Sequence, residues 1–170
     1  FILLIDALSI FVSLVSSFIG ALIVLYSFDY IAHEEFQTEY YTMVIFFIGS
    51  MMGLVYSGNL IFMYLFWEIA AICSWRLIGF YRLPSHVVKA DKAFLITFFG
   101  AVVMLFGFIQ VYGTTHTFDL TAMRSVPISS LAVFFILIGM FSKSATFPLH
   151  TWLPDAGIAP STVTSLLHAA

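Results

Sequence analysis

Polar residues punctuate this chain at wide intervals, and the apolar stretches between them set its architecture. From Ala7 to Phe28 nearly every residue is apolar or small; Asp6 opens the stretch and Asp29-Tyr30-Ile31-Ala32-His33-Glu34-Glu35 closes it. A helix needs roughly 20 apolar residues to cross a bilayer, so this pattern predicts one span. Tyr41 to Trp75 is almost unbroken apolar sequence. As one helix it would be about 50 Å long, too long for the hydrocarbon core. Ser57-Gly58-Asn59 supplies the turn chemistry that divides it, predicting antiparallel helices over 41–57 and 60–81. A fourth helix is expected from His86 to Tyr112, with Ser85 as N-cap after Arg82-Leu83-Pro84 and Gly113 at its end. A polar loop with His116, Asp119 and Arg124 follows. The fifth helix runs from near Pro127 to Phe147 and must break at Pro148, which removes a backbone donor and crowds the preceding turn. Thr151-Trp152-Leu153-Pro154-Asp155 is amphipathic and too short to span, and a sixth helix opens at Pro160-Ser161-Thr162. The expected fold is all-α: a polytopic transmembrane bundle of about five spans plus a truncated sixth, with a broken helix near Pro148. Phe1 is not a start methionine, and the last residues stop inside a helical pattern. A fragment of a longer chain is the expectation.

Composition sharpens the class. Of 170 residues, 62% are apolar and only 9% charged, too few charges for the surface of a soluble globule. The 20 Phe, 8 Tyr and 3 Trp suit lipid contact and interfacial belts. A formal charge of -3 with no Lys/Arg run leaves nucleic-acid binding without an electrostatic footprint. One cysteine, Cys73, excludes an internal disulfide framework or a multi-thiolate metal site built by this chain alone, and it is expected to pack as a small apolar residue. Arg76, Arg82 and Lys89 lie on one side of the spans against Arg124 on the other, which places the 82–89 loop in the cytoplasm by the positive-inside rule.

A charge at the bilayer centre costs at least about 2.5 kcal/mol, so charged residues inside spans are functional candidates. Glu68 lies well inside the third predicted helix and Lys143 well along the fifth; Lys92 is shallower, beside Lys89 and Asp91. The plain alternatives are a structural ion pair for the first two and a snorkelling interfacial pair for Lys92. Burial and proximity to an opposite charge act in opposite senses on proton affinity, so a glutamate and a lysine whose separation varies form a proton store. Ser142, Ser144 and Thr146 surround Lys143 and either hold waters or bond back to helix carbonyls. His168, inside the last apolar stretch, suits a proton relay or a packed core position. His33, His86, His116 and His150 sit at span ends or in loops, so a bis-histidine haem site is not expected. Arg76 is expected to reach the interface or an acidic partner.

Two motifs carry a family resemblance. Phe66-Trp67-Glu68-Ile69, with Cys73-Ser74 and Leu77-Ile78-Gly79-Phe80-Tyr81, is the first; Lys143-Ser144-Ala145-Thr146-Phe147-Pro148-Leu149-His150-Thr151-Trp152-Leu153-Pro154-Asp155-Ala156, with Ser165-Leu166-Leu167-His168-Ala169-Ala170, is the second. Together they closely resemble the antiporter-like proton channel family. That family comprises the largest antiporter-like subunit of respiratory complex I (NADH-quinone oxidoreductase chain 5 type) and the large subunits of membrane-bound hydrogenases and Mrp sodium/proton antiporters. The resemblance implies inverted repeats of five helices, each with a broken helix, around a polar axis at mid-membrane depth. Residues 1–40 would be a leading helix and acidic loop, and residues 41–170 most of the first repeat. It also implies that Glu68, Lys92, Lys143 and His168 carry protons and that Pro148 and Pro154 flank the helix break. The implied function is proton translocation within a redox-driven complex; the alternatives are an Mrp-type antiporter, with sodium as the second ion, or a hydrogenase subunit. No cofactor or metal is expected in this chain. Iron-sulfur clusters, flavin and quinone would belong to partner subunits. The implied location is the prokaryotic cytoplasmic membrane, or alternatively the mitochondrial inner membrane.

Overall fold

The computed structural model describes residues 3–124 and 126–169, so Ala170 of the second motif lies outside the described residues. Among the described residues eight helices follow in order: α1 (Ala7–Tyr30), α2 (Gln37–Val55), α3 (Leu60–Ile78), α4 (Pro84–Thr115), α5 (Leu120–Met123), α6 (Ser130–Lys143), α7 (Trp152–Ala156) and α8 (Ser161–Ala169). The first four are long and apolar enough to cross a membrane. The fifth expected span is instead divided between α6, of 14 residues, and the short α7.

Local chemistry explains most boundaries. Asp6 caps α1 with a complete capping box, accepting from Ser9 N at 2.8 Å while Ser9 Oγ accepts from Asp6 N at 2.8 Å. Asn59 caps α3 through Ile61 N at 2.9 Å, so the division at Ser57-Gly58-Asn59 is as expected. This turn is tied down on both sides, because Leu4 N donates to Tyr56 O at 2.9 Å and Leu60 N to Phe118 O at 2.9 Å. Three expectations need correction. α4 starts at Pro84, not after a Ser85 cap, because proline at the first helical position loses no bond it would otherwise make. It continues past Gly113 to Thr115 and ends with His116 in the left-handed conformation (φ 54°). The loop expected around Asp119 contains α5, whose first turn Asp119 caps through Thr121 N at 2.8 Å.

Much of α1, α2 and α4 shows apolar side chains outward, including Phe11, Phe18, Phe46 and Phe99, as lipid-facing helices do. α1 turns its small polar residues inward: Ser9, Ser13, Ser16, Gly20 and Ser27 are buried, and Ser13 and Ser27 bond the hydroxyls of Tyr56 (2.6 Å) and Tyr40 (2.8 Å). Interhelical hydroxyl bonds of this kind are usual where lipid supplies no hydrophobic drive between helices. The most extensive packing is of α6 along α4. There the backbones meet at glycines: a Cβ on Gly139 would stand 2.5 Å from Met104 Cβ and 3.0 Å from Gly100 O, and one on Gly100 would overlap the Ser142 side chain.

Candidate functional site

α6 ends at Lys143, five residues before the proline expected to stop it. Ala145 takes a left-handed conformation (φ 51°), which ends the helix, and Pro148 lies in the connection to α7 after a cis peptide bond. Pro154 falls in the first turn of α7, where a missing N–H costs no helical bond. The carbonyls of Gly139, Met140, Phe141 and Ser142 at the break find donors. Ser142 Oγ donates to Gly139 O at 2.7 Å, Ser144 N and Oγ both donate to Met140 O at 2.9 Å, and Thr146 N donates to Phe141 O at 2.9 Å. Trp152 Nε1 crosses from α7 to Ser142 O at 2.9 Å, in a buried position. The Ser142 and Ser144 hydroxyls therefore bond back to the helix while the Thr146 hydroxyl pairs with Ser144 Oγ at 2.8 Å, and these four carbonyls are paired as irregular backbone at membrane depth requires.

Lys143 sits in the last turn of α6, about 20 Å from the start of that helix at 1.5 Å per residue. Its ammonium lies 5.9 Å from the centre of the Trp67 ring, within cation–π range. Glu68 stands next to Trp67, near the middle of α3, and feels the Lys143 charge across the gap with the Tyr64 hydroxyl beside it. The two charges are not in contact: Glu68 Oε1 and Trp67 Nε1 are buried with no hydrogen-bond partner among the described residues. A cavity of ≈ 220 Å³ adjoins the lysine, lined by Phe47, Trp67, Ala71, Thr97, Lys143 and Trp152 among others. At about 30 Å³ per molecule it has room for several waters. Cys73 is buried as a small apolar residue on the same helix as Glu68.

The other two expected carriers sit apart from this pair. Lys92, on α4, donates to Asp155 Oδ2 at 2.6 Å and to Thr151 O at 3.1 Å, with Lys89 Nζ 3.9 Å from Asp155 Oδ1. Its expected neighbour Asp91 instead accepts from Trp75 Nε1 at 2.8 Å. His168 is exposed on α8, its Nδ1 2.8 Å from Thr164 O. Arg76 finds the acidic partner expected of it: Glu39 is held by Arg76 Nε and, at 2.5 Å, by Arg82 Nη2, and Arg82 lies 3.5 Å over the Phe36 ring. Sequence reasoning missed Asp155, Tyr64 and the position of Trp67. Asp155 and Trp67 lie inside the quoted motifs, but nothing in a sequence pairs a lysine with an aspartate 63 residues away.

Comparison with known proteins gives the family. The family model described as "NADH:quinone oxidoreductase/Mrp antiporter, TM" matches residues 57–170, and that of the "NADH-Ubiquinone oxidoreductase (complex I), chain 5 N-terminus" matches residues 1–41. The chain is 37% identical over 180 residues to NAD(P)H-quinone oxidoreductase subunit 5, chloroplastic, of Adiantum capillus-veneris, covering 98% of this chain and 25% of that protein. It is 39% identical over 176 residues to Na(+)/H(+) antiporter subunit A1 of Staphylococcus aureus, covering 99% and 22%. It thus spans about a quarter of the length of the curated relatives it matches. Among solved structures, the Mrp complex from Dietzia sp. DQ12-45-1b superposes with a TM-score of 0.91 at 29% identity, over 97% of this chain and 19% of that one. The archaeal membrane-bound sulfane sulfur reductase shares the fold, with a TM-score of 0.82 at 24% identity over 89% and 32%. With its spanning helices, its interrupted α6–α7 unit and these matches over nearly its whole length, the chain is an integral membrane protein of the NADH:quinone oxidoreductase/Mrp antiporter transmembrane family.

Proposed function

We propose that this segment carries part of the proton path of a multi-subunit, redox-driven membrane complex of the NADH:quinone oxidoreductase kind. Glu68 and Lys143 are the proton-storing pair, and Lys92 and His168 are further stations. Residues 41–170 then form most of the first antiporter-like repeat, and residues 1–40 the helix and acidic loop before it. The observation that carries this reading is the Glu68 carboxylate, which keeps a buried, unpartnered oxygen near mid-helix, across a gap from a lysine at the end of an interrupted helix. A structural ion pair would close that gap, because an isolated buried charge is far more costly than a contacting pair. Left open, the pair responds to separation: approach favours both charged forms and withdrawal favours the neutral ones. A signal that alters the gap therefore loads or releases a proton. Flavin, iron-sulfur and quinone chemistry belongs to partner subunits in this scheme.

The test uses the full-length protein in its assembled complex, in inverted membrane vesicles with a pH-sensitive acridine dye. Lys143→Met is expected to lower proton uptake per assembled complex by about tenfold or more, as removal of an essential proton-transfer group does. Undiminished uptake would refute the assignment. A sodium/proton antiporter is the second reading, favoured by the 39% identity to antiporter subunit A1 and the superposition on the Mrp complex. Proton movement driven by added sodium, in an assembly that co-purifies without iron-sulfur or nickel-iron subunits, would decide for it.

A further inference from the structure

The second arm of the broken helix has little of its own to hold it. α7 is five residues long, far below the length at which helical bonds sustain themselves. Trp152 and Ala156 anchor one side of it, buried against Ile78, Ala90 and Ala93. Its other anchor is polar. The Asp155 carboxylate is bracketed by two lysines one turn apart on α4, Lys92 at 2.6 Å and Lys89 at 3.9 Å, and Lys92 also grips the carbonyl of Thr151, just before α7. Three residues before Asp155, Trp152 donates its indole N–H to Ser142 O at 2.9 Å. That carbonyl belongs to the residue preceding Lys143 and has lost its helical donor because α6 stops there. A continuous set of contacts thus leads from the lysines of α4, through Asp155 and α7, to the end of α6 that carries Lys143.

We propose that Asp155 is a positioning residue for proton transfer: by its ion pair with Lys92 it seats α7 so that Trp152 closes the Ser142 carbonyl beside Lys143. The inference rests on the proton-transfer reading above. Without the carboxylate, Lys89 and Lys92 face each other with no negative charge between them, and α7 keeps its apolar anchor and the Lys92 bond to the Thr151 carbonyl but no ion pair. The Trp152 bond then loosens, and the turn bearing Lys143 loses its fixed end.

The test measures proton uptake in inverted vesicles, normalised to assembled full-length complex. D155N is expected to lower uptake roughly three- to fivefold, the scale of a partly exposed ion pair, and D155E to restore it to within about twofold. W152F keeps a ring but removes the N–H, and lowers uptake about fivefold. If Asp155 acts through Trp152, the double variant D155N/W152F falls no further than W152F alone. Additive losses, or full uptake in D155N, overturn the inference. If D155N does not assemble, uptake in D155E below about half the wild-type level overturns it. Lys143→Met separates the two proposals. Normal uptake in that variant removes the proton-path reading itself, whereas its loss alongside wild-type uptake in D155N removes only the role of Asp155.

Discussion

Two lysines of this bundle, Lys92 and Lys143, meet opposite circumstances. Lys92 has its partners in hand, a carboxylate at 2.6 Å and a carbonyl at 3.1 Å. Among the described residues Lys143 has no ion-pair partner in contact but an aromatic face at 5.9 Å and a glutamate across a gap. A cation whose counter-charge is fixed in contact adds a structural clamp to any part it takes in proton transfer, because release of its proton leaves the partner uncompensated. A cation whose counter-charge stands off is unfavourable as structure and responsive as chemistry, since small movements change its electrostatic energy steeply in a low-dielectric surrounding. Placement relative to a partner, more than burial alone, distinguishes a clamp from a carrier.

Substitutions that separate charge from proton exchange test this contrast. The largest effect is expected from Lys143→Arg. Arginine keeps the charge but does not release its proton, so uptake falls about as far as in the Met variant, tenfold or more, with little change in thermal stability. Substantial uptake in the Arg variant would break the contrast at its stronger end. Glu68→Gln preserves shape and should lower uptake by about tenfold, again leaving the melting temperature of the complex nearly unchanged because no contacting ion pair is lost. A large drop in melting temperature would mark Glu68 as structural. At Lys92 the two roles divide: Arg is expected to keep the clamp and lose the station, whereas Met loses both and also destabilises the α7 region by up to about 1 kcal/mol. Hydrogen exchange of residues 151–156 reads the difference, and equal protection in the two variants would remove the clamp. Smallest is Arg76→Gln. Glu39 retains Arg82, and a half-exposed pair of this kind is worth less than about 1 kcal/mol, so uptake should stay near wild type.

How far the sequence foretold these features depends on how local their causes are. Asp6 and Asn59 announce α1 and α3 because a capping side chain bonds a backbone three or two residues on. Glu68 and Lys143 stood out as charges in apolar runs. The end of α6 did not, because Pro148 is the obvious breaker while the helix stops earlier, at a left-handed alanine whose surroundings are completed by Trp152 from another element. The exposure of His168 and the pairing of Lys92 with Asp155 depend on how α4, α7 and α8 are stacked, which periodicity within each helix does not encode. Ser85 misled for a simpler reason: a serine after a proline resembles a cap, but the proline itself begins the helix.

The glycine seam between α4 and α6 has a mechanical consequence. With Gly139 set against Met104 and the Gly100 carbonyl, the two backbones lie too close to slide past one another without collision. α6 therefore behaves as a fixed post on α4 as far as Gly139, and only its last turn, which carries Lys143 and is closed by Trp152, depends on α7. Any stroke that changes the distance from Glu68 to Lys143 must come from α3 or from the α7 arm, so the seam acts as the fulcrum and the short arm as the lever.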